Sequence, residues 1–154
     1  MNKSEFYQSL LGQVKAIISD EADLIANMAN ISAILFNAYD DVNWAGFYRM
    51  LDGELVLGPF QGQVACIRIP VGRGVCGTAV SSQKTQLVAD VHQFSGHIAC
   101  DALSNSEIVI PVFANNEVIA VLDIDSVKYN RFDDEDQQGL EAIVAVLQQQ
   151  ITNK

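Results

Sequence analysis

The sequence predicts an α+β domain, and three features of its hydrophobic pattern carry the prediction. Apolar residues recur at helical spacing before Tyr39, at a spacing of two from Asn43 to about Asp125, and at helical spacing again after Phe132. Helices first, strands in the middle and a helix last describe a central, mostly antiparallel sheet flanked by N- and C-terminal helices. Size agrees, since 154 residues fit one core; a single domain is expected over residues 1–154, with no internal repeat, linker or low-complexity segment. So does composition: 49% hydrophobic residues, 18% charged residues and only 3 prolines belong to a chain that packs.

Ser4 is the expected N-cap of the first helix, whose apolar positions Phe6, Leu10, Val14 and Ile17 fall on one stripe. A second helix is expected from near Asp20, with Glu21 and Asp23 at its positive end and a stripe of Leu24, Met28, Ile31 and Leu35. Strands follow at 43–50 and 54–57, joined as a hairpin through Leu51-Asp52-Gly53. A third strand at 65–69 ends at Pro70, and the turn Gly72-Arg73-Gly74 leads into a short helix at 75–82 and a brief strand at 85–88. Residues 90–104 keep no period and contain both histidines, the kind of long loop that either carries function or lacks order. Another hairpin pairs 107–113 with 117–125 through Ala114-Asn115-Asn116, where asparagine tolerates the positive φ of a tight turn. Asp133, Asp134, Glu135 and Asp136 then suit the start of a last helix, which packs by Leu140, Ile143, Val144, Leu147 and Ile151.

Charge narrows the partners. With 9 Lys and Arg against 19 Asp and Glu, the net charge of −10 has the wrong sign for phosphates or anionic headgroups, so neither nucleic acid nor membrane is expected. No apolar run approaches the length of a membrane span, and the start Met-Asn-Lys-Ser-Glu-Phe-Tyr has no secretory pattern, so the expected compartment is the cytoplasm. Three cysteines do not complete the disulfide scaffold of a small secreted domain.

Strand alternation puts Trp44, Gly46 and Tyr48 on one face. Two aromatics flanking a residue without a side chain make either the wall of a shallow pocket for an apolar or cationic group, or close aromatic core packing. Leu122-Asp123-Ile124-Asp125 likewise sets two carboxylates on one face and two aliphatics on the other, and Glu107 begins the neighbouring strand. Carboxylates this close repel, which points to a bound ammonium or metal cation between them, to a carboxyl that keeps its proton, or to a solvated strand end.

Cys66, Cys76 and Cys100 show neither a Cys-x-x-Cys pair nor regular histidine spacing, so no metal is expected. Cys76 falls in the first turn of the short helix, where the dipole favours a thiolate, and Cys100 lies in the long loop near His92 and His97. Cys66 and Cys76 read equally as small core residues, whereas Cys100 is the thiol least expected to be inert. Gly72-x-Gly74-x-x-Gly77 has the spelling of a dinucleotide fingerprint, but it follows Pro70 instead of opening a βαβ unit, and a tight turn into a helix accounts for it.

Six segments in one order carry a resemblance. They are Asn43-Trp44-Ala45-Gly46-Phe47-Tyr48, Gly58-Pro59-Phe60-Gln61-Gly62, Gly72-Arg73-Gly74-Val75-Cys76-Gly77, Val88-Ala89-Asp90-Val91, Ser106-Glu107-Ile108-Val109-Ile110-Pro111 and Val121-Leu122-Asp123-Ile124-Asp125-Ser126. Together they closely resemble the free methionine-(R)-sulfoxide reductases, a family built on the GAF fold, from the first helix to the last. One departure is Ala120, where relatives often have glycine.

The resemblance implies a single GAF domain and an oxidoreductase that repairs free methionine-(R)-sulfoxide, not the residue within proteins. It implies Cys100 as the nucleophile, Cys66 as the resolving thiol that closes a redox-active disulfide, and Cys76 as an auxiliary or alternative resolver. Trp44 and Tyr48 would enclose the methyl and thioether end of the substrate, with Glu107, Asp123 and Asp125 on its ammonium and sulfoxide and Glu107 as the acid. No bound cofactor is implied; thioredoxin and its NADPH system would serve as external reductant, and the N-terminal helices leave room for a homodimer. The competing reading is a stand-alone GAF sensor of the cyclic-nucleotide type, for which Asn130-Arg131-Phe132 is a faint signal.

Overall fold

The structure, a computed structural model, describes residues 1–98, 100 and 102–152. Helix α1, Lys3–Ile18, starts earlier than expected because Asn2, not Ser4, is its cap: the Asn2 side chain accepts from Glu5 N at 2.8 Å. Its buried stripe is Tyr7, Leu10, Val14 and Ile18, and Ile17 is left 51% exposed. Tyr7 takes the core position because its hydroxyl bonds Tyr39 Oη and Asp136 Oδ1, each at 2.6 Å. Helix α2, Leu24–Ala38, begins after Asp23, which accepts from Ala26 N at 2.9 Å; Asp20 and Glu21 belong to the connection.

Strands β1, Val42–Leu51, and β2, Glu54–Gly62, turn through Asp52 and Gly53, both at positive φ, which matches the twist of a tight hairpin. β2 runs past the expected end at Leu57, because a register shift between Gly46 and Tyr48 opens a bulge where Gly58 and Pro59 sit. β3 is only Arg68–Pro70, shorter than the expected 65–69. Helix α3, Gly74–Ser82, and strand β4, Gln86–Val88, follow, and the 90–104 loop opens with a single 3-10 turn at Val91–Gln93. β5, Ser106–Ala114, and β6, Glu117–Ser126, form the second hairpin through Asn115 and Asn116, both at positive φ, and helix α4, Asp134–Thr152, closes the chain.

All neighbouring strands are antiparallel, in the order β3-β2-β1-β6-β5-β4. The sheet is covered on both faces, which is why its central strands are buried along most of their length. Helices α1, α2 and α4 pack on one face against Ala45, Phe47, Ile108, Ile110, Leu122 and Ile124. Helix α3 and the loops before and after it cover the other, against Trp44, Tyr48, Leu55, Val109 and Val121. Strand alternation thus separates the core shared with the long helices from the face that carries the polar residues.

Candidate active site

Antiparallel register assembles the carboxylates. Glu107 on β5 stands opposite Asp125 on β6, and Asp125 in turn opposite Trp44 on β1; two residues along, Asp123 stands between Val109 and Gly46. Glu107 and Asp123 are 7% and 5% exposed, so neither is a solvated strand end. Burial, then the charge of Asp123, pushes the Glu107 pKa well up; burial, then Asp125, does the same to Asp123. Both carboxyls are thus held above their ordinary range, and the pair, joined by a hydrogen bond, keeps a proton. No lysine or arginine lines the pocket among the described residues. Its histidine, His97, has a pKa lowered by burial and by His92, and stays neutral at pH 7. The pocket is therefore acidic and lacks its own counter-ion.

The aromatic wall comes from β1. Trp44 and Tyr48 stack with ring centroids 5.8 Å apart, and Phe60 stacks on Trp44 at 5.1 Å. Both polar ends are fixed by the segment leading to β3: Trp44 Nε1 donates to Gln63 O at 3.2 Å, and Tyr48 Oη to Cys66 O at 2.9 Å. Gly46 is required between them, since a Cβ there would lie 2.7 Å from Phe60 Cα and 2.8 Å from Pro59 O. Burial, then the charge of Asp123, raises the Tyr48 pKa, so this hydroxyl stays a donor. The two aromatics are at once core and pocket wall.

Above the carboxylates lies the start of α3. Gly74, at φ 65°, turns the chain into the helix and donates to Gly96 O at 3.0 Å, which joins α3 to the long loop. Cys76 is buried within the same pocket, and its thiol pKa is pushed well up by burial and by Asp123. The dipole of the first helical turn is outweighed, so this thiol keeps its proton. Its Sγ and one carboxylate oxygen each of Glu107 and Asp123 lie within 4.8 Å of one another, a set able to hold a metal ion.

Cys66 and Cys100 form a disulfide, Cα atoms 5.3 Å apart across 34 residues of sequence, and Cys100 lines the pocket. The loop that carries Cys100 is anchored at both ends: Val91 N donates to Asn105 O at 2.9 Å, Asn105 N to Ser126 O at 2.8 Å, and His92 Nε2 bonds Asn105 Oδ1 at 3.0 Å. Phe94 and Ile98 pack it onto the second core.

All the residues singled out in the sequence for this site converge here: Trp44, Tyr48, Cys76, Cys100, Glu107, Asp123 and Asp125 line one pocket, and Cys66 reaches it through the disulfide. Ser104, held by Asn43 Nδ2 at 3.0 Å, and Ile98 also line it, and no residue pattern marked either. Arg131 points elsewhere. It pairs with Asp41 at 2.6 Å, and its guanidinium lies over the rings of Tyr39 and Phe132, so Arg131-Phe132 is accounted for by packing near α1 and α4.

A sheet with long helices on one face and a polar pocket under a short helix and loops on the other defines the class: residues 26–151 match the GAF domain family. The free methionine-R-sulfoxide reductase of Escherichia coli (strain K12) is 57% identical over 148 residues, covering 96% of this chain and 90% of that protein. The reduced form of the Staphylococcus aureus fRMsr superposes with a TM-score of 0.93 at 54% identity over 95% of each chain. Free methionine-R-sulfoxide reductase from Neisseria meningitidis, in complex with its substrate, superposes at 0.95 with 42% identity, covering 98% of this chain and 91% of that one. The chain belongs to the free methionine-R-sulfoxide reductase family of GAF domains.

Proposed function

We propose that the protein reduces free methionine-(R)-sulfoxide to methionine at the pocket under α3. The observation that carries this reading is the Cys66–Cys100 disulfide, closed beside an acidic, aromatic-walled pocket in a chain of this family. The reduced pair supplies two electrons. The Cys100 thiolate attacks the sulfoxide sulfur while Glu107 gives its proton to the oxygen; methionine leaves and Cys100 becomes a sulfenic acid. Cys66 then attacks the Cys100 sulfur, water departs, and the disulfide forms. Thioredoxin, expected in the cytoplasm, returns both thiols by exchange. Cys76, outside the disulfide, is held in reserve as a second resolver.

Trp44 and Tyr48 face the methyl and thioether end of the substrate, and Asp123 and Asp125 take its ammonium. A zwitterionic amino acid suits this pocket because the ammonium supplies the cation that the carboxylates lack. A residue within a peptide has no such ammonium, which gives a physical reason for selecting the free amino acid.

The decisive assay is thioredoxin-coupled NADPH oxidation with separated sulfoxide epimers. The R epimer of the free amino acid is expected to turn over, and the S epimer and peptide-bound sulfoxide to be inert. Equal turnover of both epimers, or none with R, sinks the proposal.

A further inference from the structure

An ammonium accounts for the carboxylates of the pocket, and a reserve resolver has no need of them, so neither role explains why the Cys76 thiol is buried against two carboxyls. That thiol comes from α3, Glu107 from β5 and Asp123 from β6, and their three ligand atoms converge within 4.8 Å, all on buried residues. Around zinc, Zn–S of about 2.3 Å and Zn–O of about 2.0–2.2 Å place tetrahedral ligand atoms roughly 3.3–3.6 Å apart, within reach of small side-chain rotations here. A second observation points to a ligand at the same place. Asp123 is 5% exposed, lines the pocket, and its Oδ1 has no hydrogen-bond partner. Nδ1 of His97, on the same pocket lining, is buried and also without a partner. One soft thiolate with hard carboxylates selects a borderline cation over Mg²⁺ or Ca²⁺, and three protein ligands leave a position open toward the pocket.

We propose that Cys76, Glu107 and Asp123 bind one thiophilic divalent cation, Zn²⁺ by this ligand set, and that the cation and an amino-acid ammonium exclude each other. Binding converts the Cys76 thiol to a thiolate and strips the proton held by the Glu107–Asp123 pair, and both protons pass to the buffer. The pocket's occupancy then depends on free zinc as well as on substrate.

The disulfide form makes the test clean, because Cys76 is then the only thiol among the three cysteines of the chain. Cd²⁺, which reports thiolate ligation by an ultraviolet charge-transfer band, is titrated into this form and into the reduced Cys66→Ser/Cys100→Ser variant; Zn²⁺ binding is followed by calorimetry in two buffers of different ionisation enthalpy. The expected result is one saturable site with a charge-transfer band and proton release, a band absent from Cys76→Ser, and at least about tenfold weaker binding in Asp123→Asn. Free L-methionine should raise the apparent Kd for Zn²⁺. Absence of the band in both forms overturns the site, as does a band whose affinity is the same in Asp123→Asn and Glu107→Gln. Failure of methionine to compete overturns the exclusion. Asp123→Asn keeps the test open should Cys76→Ser not fold. None of these readouts needs turnover, so failure here leaves the epimer assay standing, and an inactive protein leaves the metal result standing.

Discussion

Glu107 shows how one residue links stability and chemistry. Its ordinary carboxyl value is 4.5, and burial with the Asp123 charge raises it well above that in the folded chain. The folded state therefore holds the proton to higher pH than the unfolded state, so stability present below pH 4.5 is lost as pH rises through the folded value. Glu107→Gln removes this loss. Urea unfolding at pH 5 and pH 8 should show a smaller difference in the variant than in the parent, with the variant the more stable at pH 8. On the proposed mechanism the same change lowers kcat by about 10²–10⁴-fold, the usual worth of a positioned acid. An unchanged pH dependence would remove the buried-proton argument. The thiols separate by role in the same way. Cys100→Ser is expected to form no methionine in a single turnover, whereas Cys66→Ser/Cys76→Ser, which lacks both resolvers, should release about one equivalent and then stall with thioredoxin. Mass spectrometry of the stalled protein should find the added oxygen on Cys100.

At the scale of elements, the pocket depends on how β1 meets β2. Pro59 removes a donor from β2, and the bulge opposite Gly46 and Tyr48 accommodates it while letting the strand continue to Gly62. Gly46→Ala forces a Cβ to 2.7 Å from Phe60 Cα, where backbone, not a flexible side-chain end, must move. An overpacking cost of about 1–3 kcal/mol is expected in chemical denaturation, together with a raised KM because Trp44 and Phe60 shift apart. Wild-type stability and KM would show that the hairpin yields freely. This arrangement also explains a limit of pattern reading. The alternation of Trp44, Gly46 and Tyr48 was legible, but the bulge depends on a partner strand, and the expected end at Leu57 fell short for that reason.

For the molecule as a whole, α1 and α4 are tied by a polar cluster set into an apolar core. Asp136, 1% exposed, accepts from Tyr7 Oη and Lys3 Nζ, each at 2.6 Å, and Tyr7 also bonds Tyr39. Tyr7→Phe leaves a buried carboxylate short of a donor, and a loss of about 1–3 kcal/mol is expected by calorimetry. The Lys3 hydrogen bond first, and then the backbone and side-chain hydrogen bonds from Asp136, lower the Asp133 pKa from 3.8 to about 2. On acidification the unfolded chain takes up this proton first, so the contribution present above pH 3.8 is lost as pH falls toward 2. Lys3→Met should flatten the acid limb of the stability profile across that window and leave the limb above it unchanged. Asp133 lies on the surface, so high salt should weaken the effect. An equally steep limb in Lys3→Met would assign acid sensitivity to other carboxylates.

The class of fold, the faces of the strands and the residue types of the site follow from the amino-acid order alone, because periodicity is a local property. A spacing of two separates Asp123 and Asp125 from Leu122 and Ile124 whatever the strand pairs with. Which residues meet depends on packing between distant segments. Cys66 and Cys100 are 34 residues apart, Cys76, Glu107 and Asp123 come from three different elements, and Trp44 reaches Asp125 only through strand register. The state of each group was decided there too. The dipole rule for a helix first turn favours a thiolate at Cys76, but burial beside two carboxyls reverses it, and desolvation is a property of the packed neighbourhood.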